Sequence, residues 1–197
     1  MLKRLTDALL GRLADAAGVE LYEVRGFRVV VENTRPDIAT ADVLARLDEA
    51  LALIEAHQPW RLAHLRRDLR RFWVVRYACR GAYFPDQRTC LTELTFLARR
   101  DITAAPVASS ILHEGVHARV HRLGERLGGG RGPRDMAREE RLCRKAELAF
   151  GRALPPELGA PVVERALETL GMADADVAPV IDWRVAQARV DAADGRR

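Results

Sequence analysis

The stretch from Pro106 to Leu123 carries His113-Glu114-Gly115-Val116-His117, and that spacing leaves the segment little choice of fold. In an α-helix, where each residue advances about 100°, residues four apart share a face and stand one turn from each other. The apolar residues Ile111, Leu112, Val116 and Val120 recur at the same period and mark a buried stripe. The histidines flank that stripe. Both imidazoles can therefore reach one metal ion, with Glu114 about a quarter turn from the first.

That geometry suits metal-assisted hydrolysis. Two imidazoles hold zinc and leave room for a third protein ligand and a water, whose pKa the ion lowers toward about 7. Glu114 is not needed to hold the ion, so its place between the ligands fits a general base that takes the proton from that water. Gly115 inside the helix costs about 1 kcal/mol relative to alanine, which a close approach of backbone or substrate would explain. His121 extends the series, but on a straight helix it stands about 12 Å along the axis from His113, too far to share one ion. It is expected to be exposed, or else to face substrate or support a ligand.

The third ligand is then expected to be a carboxylate from the following helix, which offers Glu139, Glu140 and Glu147. In this respect the chain resembles the gluzincin group of zinc metallopeptidases, in which HExxH is followed some twenty or more residues later by a glutamate on a separate helix. The resemblance covers about Thr89 to Ala153 and is specific at His113, Glu114 and His117. His-Ala after the motif and Arg138-Glu139-Glu140-Arg141-Leu142-Cys143 also look like small bacterial zincin-like proteins, a likeness that supports Glu140. Helix arithmetic pulls the other way. The apolar face of Leu142, Cys143, Ala146, Ala149, Phe150 and Ala153 centres within about 20° of Glu139, with Glu140 about 120° off. The histidines lie on the flank of their own stripe, however, so a flank glutamate can face them. Glu140 is the expected ligand and Glu139 its alternative. Glu147 either orients a histidine or forms a solvated salt bridge.

The rest of the chain reads as an α+β domain over residues 1–197: a small, mostly antiparallel sheet with packed helices, zincin-like, the HExxH helix central. Leu2 to Ala17 reads as an amphipathic helix ending at Gly18, and Val19 to Glu32 as strand with a hairpin or bulge at Gly26. Thr40 can cap a helix to about His57 whose inner face is Val43, Leu44, Leu47, Leu51 and Ile54. Phe72 to Tyr77 reads as a buried strand, Gly81 to Asp86 as a turn, and Thr89 to Leu97 as an edge strand on which an extended peptide substrate can lie. Tyr83, just before it, can donate to a developing oxyanion or sit in an ordinary turn. Residues 124–133 read as a flexible Gly-rich loop, Asp135 as the cap of a helix from Met136 to Leu154, and 191–197 as a frayed tail.

Composition removes several alternatives. Among 197 residues no apolar run approaches the eighteen or so that a bilayer span requires, and the charged breaks in the first helix leave no secretory segment. Three cysteines without a CxxC pair fit a reducing compartment and argue against a zinc site built of cysteines, so the cytoplasm is the expected location. The net charge of +4 is dispersed among nearly as many carboxylates as basic residues. Arg61, Arg66, Arg67, Arg70 and Arg71 lie beside Leu62, Leu65 and Leu69, which makes them the solvated face of an amphipathic helix. The expected partner is a peptide or protein substrate, with no membrane or nucleic acid. The rival expectation is a noncatalytic zinc-binding protein or a basic nucleic-acid-binding one.

Overall fold

The computed structural model describes residues 19–127, 133–173, 176 and 182–194. The expected helix over Leu2 to Ala17 lies outside them. Strands β1 (Val19–Val24) and β2 (Phe27–Glu32) form a hairpin whose turn residues, Arg25 and Gly26, have φ of 49° and 77°. A two-residue turn of this hand matches the twist of the strands it joins, and glycine enters it without a steric cost. Helices α1 (Thr40–His57) and α2 (Pro59–Asp68) then carry the chain to β3 (Arg71–Val75), which lies parallel to β2 with Phe72 opposite Val29. Strands β4 (Gly81–Phe84) and β5 (Thr89–Glu93) complete a sheet of order β1-β2-β3-β5-β4.

The α+β class holds, but the sheet is mixed, not mostly antiparallel: β2–β3 and β3–β5 are parallel and only the two outer pairings are antiparallel. Between β2 and β3 the helices α1 and α2 carry the chain back to the opposite end of the sheet from the one it left, so β3 runs parallel to β2, whereas β5 lies parallel to β3 as the second strand of the β4–β5 hairpin. Two further expectations change here. Gly81 to Asp86 is not simply a turn, because Gly81–Phe84 is the edge strand β4. Thr89 to Leu97 is not an edge, because β5 is paired on both sides, all five of its residues are buried, and Leu94–Leu97 is a short helix, α3. The polar residues of β5 are buried, Thr89 accepting from Arg71 and Glu93 paired with Arg76. The Glu93 carboxylate also caps α3 by accepting from the backbone N–H of Phe96.

Helices α4 (Ala105–Leu127), α5 (Pro133–Ala153), α6 (Pro156–Leu170) and α7 (Trp183–Asp194) follow. The core lies between one face of the sheet, with Val29, Val31, Phe72, Val74 and Cys90, and the buried stripes of α1 and α4. Val43, Leu47, Leu51 and Ile54 of α1 are fully buried, as its periodicity predicts, while Leu44 is only partly so. Boundaries moved at the caps. Ala39 rather than Thr40 is the N-cap of α1, and the Thr40 hydroxyl instead accepts from the Asn33 amide. Gly124 to Leu127 of the expected loop continue α4 and Pro133 opens α5, so Asp135 stands inside a helix; the rest of that expectation, 128–132, lies outside the described residues. Residues 191–194 are helical, not frayed, because Asp194 pairs with both Arg35 and Arg76; 195–197 lie outside the described residues. No helix among the described residues is long and apolar enough to cross a membrane.

α4 also packs closely against α2. A Cβ on Gly115 would collide with the Leu65 side chain of α2, so the glycine lets the two helices approach closely. This accounts for a glycine in the middle of the HExxH helix.

Candidate metal centre

Helix α4 places His113 and His117 one turn apart with their Nε2 atoms 3.2 Å from each other. Helix α5 lies beside it and presents Glu139, Glu140, Cys143 and Glu147, whose spacings of three and four residues put them on adjoining parts of one surface. Glu140 reaches both rings on the inner side, Oε1 at 3.1 Å from His117 Nε2 and Oε2 at 3.3 Å from His113 Nε2. The other two carboxylates hold the outer nitrogens. Nδ1 of His113 donates to Glu147 at 2.6 Å, and Nδ1 of His117 donates to Glu139 at 2.7 Å. Each imidazole is thereby fixed in orientation and tautomer, with Nε2 turned toward a common point.

The arithmetic of the apolar face therefore located Glu139 correctly as a buried residue but not at the inner nitrogens, where Glu140 stands. Glu147 is also buried and is no solvated salt bridge, although Arg144 bonds its Oε1 at 2.9 Å. Cys143 was missed. It is fully buried, its Sγ lies 3.6 Å from His117 Nε2, and the donor atoms of His113, His117 and Cys143 all fall within 4.8 Å of one another. This cluster can hold a metal ion. The absence of a CxxC pair argued only against a site built of cysteines. The signal for a single one was its place three residues after Glu140 and four after Glu139.

The electrostatics of the cluster suit a cation. Burial disfavours charge on the His113 imidazole, but Glu140 and Glu147 outweigh it and raise the ring to about 10. His117 is likewise raised against its burial by contacts with Cys143, Glu139 and Glu140, and Glu140 is held below the usual carboxylate range by the two rings despite burial. Glu114 is different. Burial raises its carboxyl against the lowering pull of His113 and His117. Burial also lifts the Cys79 thiol to about 12 and Cys90 well above its ordinary value, with Glu114 adding to both, so neither is a thiolate nucleophile near neutral pH.

The site opens into a cavity of about 870 Å³ bordered by the edge strand β4 and floored by α4 and α5. Glu114 lies against β4. A Cβ on Gly81 would come within 2.9 Å of Ser110 Oγ and 3.1 Å of Glu114 Oε1, so the glycine lets β4 pack closely against the carboxylate. Gly81 is a second residue that the sequence reading passed over. Tyr83 of β4 and His121 of α4 both line the cavity with ring centroids 6.1 Å apart, so His121 is half-buried rather than exposed. Arg66 and Arg67 pair with Glu55 and Asp68. Comparison with family models, with curated proteins and with solved structures finds no match for the chain.

Proposed function

We propose that this chain is a zinc-dependent peptidase, in which His113, His117 and Glu140 hold the ion and Glu114 is the general base. The observation that carries this reading is the meeting, in one open cavity, of paired inner Nε2 atoms and a buried carboxylate that orients neither ring. The spacing of the donors supports zinc. Two nitrogens each about 2.0–2.1 Å from a tetrahedral ion stand roughly 3.3 Å apart, and a carboxylate oxygen stands at a similar distance from each. Here the nitrogens stand 3.2 Å apart, and Glu140 brings a separate oxygen to each, Oε1 at 3.1 Å from His117 Nε2 and Oε2 at 3.3 Å from His113 Nε2.

Bound zinc would supply Lewis acidity, polarising a peptide carbonyl and making water a nucleophile near neutral pH. The chain's own groups do the rest. Glu139 and Glu147 keep both rings aimed at the ion. Glu114, its basicity raised by burial, takes a proton from the attacking water as the C–O bond forms and passes it to the departing amine as the C–N bond breaks. The edge of β4, unpaired among the described residues, offers main-chain donors and acceptors to an extended substrate, replacing Thr89 to Leu97 in that role. Tyr83 on that strand lines the same cavity and would donate to the carbonyl oxygen. Three cysteines, all free, favour the reducing cytoplasm as the place it works.

A second reading, a noncatalytic zinc-binding protein, is favoured by one observation: Cys143 offers a fourth protein donor, and structural zinc sites are closed by four. Peptide cleavage by the untagged protein separates the two. The peptidase loses activity to a chelator and regains it with zinc, whereas stoichiometric zinc with no cleavage of a broad peptide library supports the second reading.

A further inference from the structure

We propose that Cys143 is itself a ligand of the metal, so that the resting site has the donor set His113, His117, Cys143 and Glu140. This rests on the reading that the site holds a metal, and it is independent of whether the site cleaves peptides. The geometry points to it through His117 Nε2, which has three neighbours at distinct separations. A thiolate about 2.3 Å and an imidazole nitrogen about 2.0–2.1 Å from one tetrahedral zinc stand roughly 3.6 Å apart, longer than a nitrogen–nitrogen edge of roughly 3.3 Å because sulfur is larger. Cys143 Sγ is 3.6 Å from His117 Nε2, while His113 Nε2 and Glu140 Oε1 are 3.2 and 3.1 Å from it. The three edges that meet at this nitrogen therefore have the lengths that two hard donors and one sulfur would give.

Burial supports the same assignment. Cys143 is fully buried on the face of α5 that meets α4, between the carboxylates that orient the two rings. On metal binding the Sγ–H bond breaks, the Sγ–metal bond forms, and the proton leaves to solvent. With four protein donors a bound zinc would admit a water by expanding to five ligands, as catalytic zinc can, and the Glu140 side chain, 21% exposed, lines the cavity from which that water would come. A thiolate also makes the site soft, favouring Zn²⁺ and Co²⁺ over Mg²⁺, Ca²⁺ and Mn²⁺.

Cobalt substitution tests this without any substrate. Metal-free full-length protein titrated with Co²⁺ should develop visible d–d bands and, with the same stoichiometry, a thiolate-to-cobalt charge-transfer band in the near ultraviolet. Cys143→Ser and Cys143→Ala should lose the charge-transfer band while still binding cobalt, and Cys79→Ser should keep it. Stoichiometric cobalt with d–d bands but no charge-transfer band in the wild-type protein would overturn the assignment of Cys143 and leave a histidine–carboxylate site standing. So would a band that survives both Cys143 substitutions. No cobalt bound at all would overturn this assignment and the metal reading together.

Discussion

The carboxylate of Glu147 lies 2.6 Å behind Nδ1 of His113, with both side chains buried, so the ring can turn only its Nε2 toward the cavity. Glu139 holds His117 in the same way at 2.7 Å. Carboxylates in this position raise ligand basicity and fix the ring, and losing one typically weakens metal binding 10–100-fold. Glu147→Ala and Glu139→Ala are each expected to lower zinc affinity by about that factor, measured by competition with a chelator of known affinity. Unchanged affinity in both would mean that the rings are oriented by packing alone.

Gly115 makes an opposite prediction from what helix propensity suggests. Alanine is about 1 kcal/mol better than glycine within a helix, yet a Cβ here would run into Leu65. Gly115→Ala should therefore destabilise the fold, by about 1–3 kcal/mol, the usual cost of overpacking. Chemical denaturation of Gly115→Ala alone and with Leu65→Ala checks it. The clash is the cause only if the double variant loses less stability than the two single losses added together.

Asp68 gives the acid limb of stability. It is 1% exposed at the end of α2, bonded to Arg67 at 2.8 Å and within 4 Å of Arg119 and Arg122 on α4. Burial opposes its ionisation, but the guanidiniums outweigh it and hold the carboxyl below its ordinary value. A carboxyl with a depressed pKa in the folded state contributes stability that is fully present above its unfolded pKa, about 3.9, and is lost as the pH falls through the lower folded value. Denaturation midpoints of wild type and Asp68→Asn should show the variant less stable at neutral pH, with the gap closing as the pH falls below about 4. A gap that stays constant down to the acid transition would assign the loss to packing rather than charge.

Much of this molecule was legible in the sequence where a periodic pattern was long. The α1 and α4 stripes, the hairpin at Gly26 and the HExxH pair all follow from spacing. β4 was not legible, because Gly-Ala-Tyr-Phe is too short to display a period and opens on a glycine. β5 was misplaced at the edge, since Thr89, Thr92 and Glu93 look solvated in the sequence although all three are buried, Thr89 against Arg71 and Glu93 against Arg76. At the site, the choice between Glu139 and Glu140 turned on the position of α5 relative to α4, a tertiary quantity that helix arithmetic on one element does not contain. Cys143 was hidden by its own apolar character, which made it read as core.

Glu114→Gln tests the central claim most directly. Glutamine keeps the size of the side chain beside Gly81 and spares every group that surrounds the two imidazoles, but it cannot take a proton. The account predicts that Glu114→Gln binds zinc as the wild type does and loses cleavage of a peptide library by a factor of roughly 100 or more, the scale for removing a positioned base. Equal cleavage rates in wild type and Glu114→Gln, at equal zinc content, would contradict it.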